Sequence, residues 1–150
     1  MQVAVLGLGY VGIVTATCLA NSGHSVSGYD VQPDKIESIN LGQAPVYEPG
    51  LQSALQKAVD NSNLVATSDI ATSLDNAKAI LICVGTPGKS DGSVDLTQVT
   101  TALKSIGQYL HVAADYPVIA IRSTVPPGSL QLCSAIVESV SGRLAGIDLA

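Results

Sequence analysis

A glycine-rich turn near the amino terminus is the first feature of this sequence that could bind a ligand. Residues 7–12 read Gly-Leu-Gly-Tyr-Val-Gly, directly after the apolar run Val3–Leu6 and directly before a helix-like segment. In that context Gly7 allows a tight turn, Gly9 lets a pyrophosphate approach the backbone, and Gly12 lets the helix pack on the strand. The helix amino terminus then presents N–H groups to the phosphates. The pattern predicts a dinucleotide site, and the alternative is a tight turn without a ligand.

An acidic residue at the end of the next predicted strand makes the cofactor prediction specific. Asp30 ends the segment Ser25–Asp30, eighteen residues after Gly12. A carboxylate there can accept hydrogen bonds from the adenosine ribose hydroxyls, and it repels a 2′-phosphate. Because Lys35 is the nearest cation and no Arg follows Asp30 closely in the sequence, NAD is predicted in preference to NADP. Asp30 could also, or instead, cap the following helix.

Two later loops carry groups that could lie over a cofactor. Residues 83–87 leave the fourth predicted strand, and residues 121–128 leave the fifth. Ligands of doubly wound sheets bind beyond the carboxyl ends of the strands, where Gly85 would allow close approach and Thr86 and Thr124 would supply hydroxyls. Turn or capping roles for both threonines fit the spacing equally well.

Strands and helices that could position these groups alternate along the chain. The predicted strands are Val3–Leu6, Ser25–Asp30, Leu64–Thr67, Ala79–Val84 and Pro117–Ile121. The predicted helices are Tyr10–Asn21, Gln32–Leu41, Leu51–Val59, a short one capped by Ser68 or Asp69, one from an Asp95 N-cap to about Leu110, and Ser129–Val140. This alternation predicts an α/β fold with a Rossmann-type doubly wound parallel sheet and helices on both faces, in one domain over residues 1–150. Because Gly146–Ala150 resembles the first half of a further strand, the domain is expected to be truncated.

The composition excludes several classes of protein. The net charge is −5 with seven scattered Lys and Arg, and the chain contains no Trp and no Phe. Without a basic stripe, nucleic acid is not expected as a partner. No apolar run is long enough to cross a bilayer and no signal peptide is recognisable, so a cytoplasmic protein without a membrane partner is expected. Cys18, Cys83 and Cys133 lack metal-ligand spacing, so no metal site is predicted and each thiol is expected to be buried and reduced.

Six motifs together resemble the UDP-glucose/GDP-mannose dehydrogenase family. They are GLGYVG at 7–12, YD at 29–30, PVYEPGL at 45–51, VGTP at 84–87, DGSVDL at 91–96 and STVPPG at 123–128. The family oxidises the C6 alcohol of a nucleotide sugar to a carboxylate with two NAD⁺. The resemblance places NAD contacts at Tyr10, Val11, Asp30, Lys35, Thr86 and Thr124, beside the loop residues Gly85 and Pro87. Thr124 would lie closest to the reacting carbon, which makes it the catalytic candidate, whereas Glu48 receives no certain role.

The resemblance also implies chemistry that residues 1–150 do not contain. The family places a nucleophilic Cys, with a Lys, an Asn and an Asp, in later segments, so this portion alone is expected to be inactive. The three cysteines present lie in apolar stretches, which favour the unreactive thiol. The nucleotide sugar would bind through the missing half, and the full-length protein is expected to be a homo-oligomer.

The sequence also bears on the substrate and on two alternative classes of protein. The segment 138–150 is more similar to GDP-mannose dehydrogenases, which favours GDP-mannose over UDP-glucose. A non-catalytic NAD-sensing regulatory domain would need the glycine turn and the acid, yet it gives no reason for the paired loops. A hydroxyacid or 6-phosphogluconate-type dehydrogenase shares the glycine turn, but the YEPGL segment and the STVPPG loop argue against it.

Overall fold

The computed structural model describes residues 1–113 and 116–147, in which strands and helices alternate. The strands are β1 (Gln2–Leu6), β2 (Ser25–Tyr29), β3 (Leu64–Thr67), β4 (Ala79–Ile82) and β5 (Val118–Ile121). The helices are α1 (Tyr10–Asn21), α2 (Pro33–Asn40), α3 (Leu51–Asp60), α4 (Ile70–Leu74), α5 (Thr97–Val112) and α6 (Ser129–Ser141). Each of the five strands and six helices predicted up to residue 140 is present, with its ends shifted by at most two residues. In this part of the chain, none of the helices is long and apolar enough to cross a membrane.

The five strands form one parallel sheet in the order β3-β2-β1-β4-β5. Leu6 at the end of β1 is in register with Tyr29 of β2 and with Ile82 of β4. The carboxyl ends of these three strands therefore lie level, and the strand order reverses between β1 and β4. Ligands of open α/β sheets bind at such a reversal. The predicted Rossmann-type fold is confirmed.

The apolar core lies on both faces of the sheet, because β1 alternates its side chains between them. Val5 packs in the core under α1, α2 and α3. Ala4 and Leu6 pack in the opposite core, under α4, α5 and α6. All three side chains are fully buried. Aliphatic residues on a doubly covered strand fill this interior without Trp or Phe.

Three expectations from the sequence need correction. Cys18 is exposed, whereas Cys83 and Cys133 are buried as expected; on α1 the buried stripe runs through Ile13, Ala16, Thr17 and Ala20, and Cys18 lies off it. Asp95 is not the N-cap of α5, because Leu96 holds that position while the Asp95 carboxylate accepts the Thr97 N–H at 2.9 Å. Of the strand expected at 146–150, residues 146 and 147 form a turn, and residues 148–150 lie outside the described residues. By contrast, Asp69 does cap α4.

Candidate functional site

The three glycines of the first turn have different structural roles. Gly7 has φ +91°, and its N–H donates to the Tyr29 carbonyl at 2.8 Å. A Cβ on Gly7 would lie 2.9 Å from the Cys83 carbonyl oxygen, and a Cβ on Gly12 would overlap the carbonyl of Gly7. A Cβ on Gly9 would meet none of the described atoms within 4 Å. Gly7 and Gly12 are therefore needed for folding, whereas Gly9 leaves open space at the place where a phosphate would enter.

The start of α1 is built to attract an anion. The N-cap is Gly9, which has no side chain to satisfy the first N–H groups of the helix. These N–H groups have no carbonyl partner within a helix, and they form the positive end of its dipole. The first turn, Tyr10–Ile13, contains no acidic residue to neutralise that end. This arrangement fits a diphosphate without a positively charged side chain in the turn.

Asp30 is a buried, charged acceptor beside that turn. The residue is 6% exposed, and its carboxylate accepts hydrogen bonds from the Leu8 N–H at 2.9 Å, the Gln32 N–H at 3.1 Å and Lys35 Nζ at 2.7 Å. Burial raises the pKa of the Asp30 carboxyl, but the bonds from Lys35, Leu8 and Gln32 outweigh it and hold the pKa below its ordinary value. The carboxylate therefore stays ionised at neutral pH and connects the glycine turn of residues 7–12 to the end of β2.

The hydrogen bonds of Asp30 bear on its two predicted roles, as a helix cap and as an acceptor for the ribose hydroxyls. Gln32 is the N-cap of α2, so Asp30 braces the entrance of that helix through the Gln32 N–H without being the cap itself. Lys35 forms an ion pair with Oδ2 of Asp30, which the sequence spacing alone did not reveal. Oδ1 of Asp30 receives the Gln32 N–H, and a carboxylate oxygen has a second lone pair for a ribose hydroxyl.

A cavity of about 390 Å³ lies between the strand ends and α5. Among the predicted site residues it brings together Gly7, Gly9, Asp30, Lys35 and Gly85. Within the described ranges, its lining leaves out Tyr10, Val11, Gly12, Thr86, Pro87 and Thr124. The cavity therefore joins the glycine turn to Asp30, as the sequence predicted, whereas Thr86 and Thr124 do not line it.

The wall formed by α5 is part of the site that sequence reasoning missed. Thr97, Gln98, Thr101 and Ser105 line the cavity from this helix. Oε1 of Gln98 accepts the Gly85 N–H at 3.1 Å, which holds the loop after β4 against α5. The four-residue spacing of Thr97, Thr101 and Ser105 is the pattern that could have revealed one polar face of the helix.

The loops after β4 and β5 are joined by Ser123. Its hydroxyl donates to the Val84 carbonyl at 2.7 Å, and its N–H donates to the Ile82 carbonyl at 3.0 Å. Thr124 follows directly and is exposed, while Thr86 is half-buried. Ser123 thereby fixes the loop that carries Thr124 relative to the loop that carries Thr86.

The first two residues of α1 do not line the cavity. Tyr10 is 53% exposed and Val11 is 45% exposed. The Tyr10 hydroxyl donates to Oε2 of Glu48, a residue 38 positions later in the chain. Glu48, which the sequence left without a role, is thus in direct contact with a predicted cofactor residue.

The buried cysteines are poorly suited to act as nucleophiles. Burial raises the pKa of the Cys83 thiol, although the charge of Arg122 acts in the opposite direction. Burial also raises the pKa of Cys133. Because the thiolate is the reactive form, these two residues are held in the unreactive state at neutral pH.

A glycine turn at a helix amino terminus, a buried acid on the adjacent strand and a cleft at the reversal of strand order define a dinucleotide-binding domain. The sequence model described as "UDP-glucose/GDP-mannose dehydrogenase family, NAD binding domain" matches residues 1–150. The chain belongs to this family, and the cofactor of its domain is NAD. This membership disfavours both rival classes considered from the sequence.

The similar curated proteins include dehydrogenases named for two different substrates. A GDP-mannose 6-dehydrogenase of Pseudomonas savastanoi pv. phaseolicola is 40% identical over 149 residues, covering 99% of this chain and 34% of the relative. A UDP-glucose 6-dehydrogenase of Bacillus subtilis (strain 168) is 41% identical over 148 residues, covering 99% of this chain and 32% of the relative. The chain thus spans about a third of the length of these curated relatives.

A solved structure matches the whole chain. The crystal structure of a ternary complex of GDP-mannose dehydrogenase from Pseudomonas aeruginosa superimposes with a TM-score of 0.98 at 38% identity, covering 100% of this chain and 35% of that one. The sheet order and the position of the cleft are therefore those of a dehydrogenase cofactor domain.

Proposed function

We propose that this chain is the NAD-binding unit of a longer nucleotide-sugar 6-dehydrogenase, which oxidises the C6 alcohol of its substrate to a carboxylate with two NAD⁺. The observation that carries the proposal is the family match over the whole chain, on a fold whose cleft joins Gly9 to Asp30. NAD, when bound, supplies the electron acceptor for both oxidation steps. The catalytic Cys, Lys, Asn and Asp would come from segments beyond residue 150.

In this proposal different residues of the cleft bind different parts of the cofactor. The turn from Gly7 to Gly12 holds the diphosphate, with Tyr10 and Val11 at the first turn of α1. Asp30 and Lys35 hold the adenosine ribose. Support for this division is the open space at Gly9 and the ionised carboxylate one strand away.

The loops after β4 and β5 would serve the other half of the cofactor. Gly85, Thr86 and Pro87 border it from one strand end, and Thr124 lies nearest the reacting carbon from the next. The support is that Ser123 holds together these two loops, the first of which follows β4 at the reversal of strand order. Thr124 is exposed, so its hydroxyl is available to a ligand.

GDP-mannose is the proposed substrate, and UDP-glucose is the alternative. The resemblance of residues 138–150 to GDP-mannose dehydrogenases favours the first. The alternative stands because a relative of each specificity is about equally similar to this chain. We also propose that the full-length protein is a homo-oligomer and that it is cytoplasmic. The free thiols fit the reducing cytoplasm.

The substrate proposal is tested on the full-length protein. NADH formation is followed with GDP-mannose and, separately, with UDP-glucose, and the final NADH is compared with the sugar consumed. We expect two NADH per GDP-mannose and much slower turnover of UDP-glucose. A preference for UDP-glucose would establish the alternative, and oxidation of neither sugar would overturn the proposal.

The cleft is tested by a pair of glycine substitutions in the chain described here. Gly9→Ala should leave the fold intact, because its Cβ enters open space among the described residues, yet weaken NAD binding at least tenfold by blocking the diphosphate. Gly88→Ala is the matched control, since a Cβ there likewise has room. Binding is measured by calorimetry, and unchanged affinity in Gly9→Ala would refute the cleft assignment.

A further inference from the structure

The loop of residues 42–50, here called the Glu48 loop, is held in a fixed position beside α1. Gln52 closes its base, because Nε2 donates to the Gly42 carbonyl at 2.7 Å and Oε1 accepts the Ala44 N–H at 2.9 Å. At its far end the Leu51 N–H donates to the Glu48 carbonyl at 3.0 Å. The backbone of Glu48 is therefore anchored at the start of α3.

Hydrogen bonds connect the last residue of α1 to α3 and the first residue of α1 to the Glu48 loop. Asn21, the last residue of α1, donates from Nδ2 to the Ala54 carbonyl of α3 at 2.9 Å. Tyr10, the first residue of α1, donates its hydroxyl proton to the Glu48 carboxylate. A hydrogen bond to an ionised acceptor is stronger than one between neutral groups. This bond orients a tyrosine ring that is half exposed and otherwise free to change rotamer.

The charge of Glu48 makes its location unexpected. Tyr10 follows the phosphate-binding turn directly, so the Glu48 carboxylate lies one tyrosine side chain away from the proposed diphosphate site. A negative charge there repels the phosphates and should weaken their binding. A residue that favours cofactor binding from this place must act through its partner.

We propose that Glu48 is a positioning residue for NAD: its carboxylate holds the Tyr10 ring beside the phosphate-binding turn, where the ring borders the cofactor. The inference rests on the proposed function, because Tyr10 is a cofactor residue only within it. It gives the YEPGL segment a role in cofactor binding, separate from the folding of α3.

Two interpretations of Glu48 predict opposite changes in the affinity for NAD. If Glu48 positions Tyr10, then Glu48→Ala weakens NAD binding roughly fivefold, as expected for a lost hydrogen bond, and Glu48→Gln retains most of the affinity because its amide oxygen still accepts. If Glu48 acts only as a nearby negative charge, both variants strengthen NAD binding. Glu37→Ala removes the same charge from an exposed position on α2, so it serves as the control.

A double-mutant cycle tests whether the two residues act as one unit. Tyr10→Phe should weaken NAD binding roughly fivefold, and Tyr10→Phe combined with Glu48→Ala should be no weaker than the single variants. Affinities are measured by calorimetry, and thermal unfolding confirms that every variant is folded. Because the chain has five Tyr and no Trp, the ultraviolet spectrum of tyrosine also reports directly on loss of the bond to Glu48.

The outcomes separate this inference from the proposed function. If Gly9→Ala abolishes binding while Glu48→Ala leaves it unchanged or stronger, the positioning role is refuted and the cleft assignment stands. Additive losses in the cycle would also refute it. If Gly9→Ala binds NAD like the unmodified chain, the cleft assignment itself fails.

Discussion

The substitution Asp30→Ala should reduce both the stability of the fold and the affinity for NAD. The Leu8 N–H would lose its acceptor, and Leu8 is 1% exposed, so an unsatisfied buried donor costs about 1–3 kcal/mol. The ion pair with Lys35 adds at most about 1 kcal/mol, because the lysine is partly exposed and can turn to water. We therefore expect the free energy of unfolding to fall by about 1–4 kcal/mol, and NAD binding to weaken by about 1.5–3 kcal/mol.

The stability difference should depend on pH in a defined direction. The folded chain holds the pKa of Asp30 below its ordinary value, which is about 3.9 in an unfolded chain. A group with a lowered pKa contributes its full stabilisation above the unfolded value and loses it as the pH falls through the folded value. The gap between the unmodified chain and Asp30→Ala should thus be constant above about pH 5 and shrink below about pH 4.

Urea unfolding followed by circular dichroism at several pH values provides the assay, and calorimetry provides the NAD affinity. Asp30→Asn is the informative comparison, because its amide oxygen can still accept one backbone N–H while the charge is lost. It should show an intermediate loss of stability. Equal stability of Asp30→Ala and the unmodified chain at neutral pH, or a gap that widens as the pH falls, would refute the reasoning.

Three further predictions concern the turn, the loops and the thiols. Gly12→Ala should lower the free energy of unfolding by at least about 2 kcal/mol, because its Cβ overlaps backbone that cannot move cheaply; near-native stability in urea would contradict this. Ser123→Ala should reduce stability by about 1 kcal/mol and weaken NAD binding, and unaltered values for both would show that the loops need no such link. In the folded chain a thiol reagent should label Cys18 rapidly and both Cys83 and Cys133 only after denaturation, which mass spectrometry of labelled peptides can check.

The fold was predictable because its determinants are local. Apolar runs separated by helical periodicity specify a parallel sheet with little ambiguity. The pattern of residues 7–12, placed between a strand and a helix, predicts where a diphosphate would bind. The position of Asp30 at the end of the second strand was predictable because the number of residues in a strand–helix–strand unit is nearly constant.

The missed features all depend on contacts between distant segments. The bond from the Leu8 N–H to Asp30, 22 residues apart, arises only when β1 and β2 pair in register. The polar wall of α5 lines the cleft only because that helix packs on the face of the sheet formed by β1 and β4. Cys18 was expected to be buried from its apolar neighbours, although the rotation of α1 places it off the buried stripe. Local sequence does not specify any of these placements.

The bonds of Asp30 have a consequence for attempts to redesign the cofactor preference. This side chain holds the backbone of the turn, and in the proposed site it also repels a phosphorylated ribose. In that proposal the same two oxygens determine both the cofactor selectivity and the stability of the fold. Replacing it with a neutral residue would release Lys35 to pair with a 2′-phosphate, which is the first step toward accepting NADP. Such a variant would need a new acceptor for the Leu8 N–H. Without one, the reduced selectivity for NAD would be accompanied by a less stable fold.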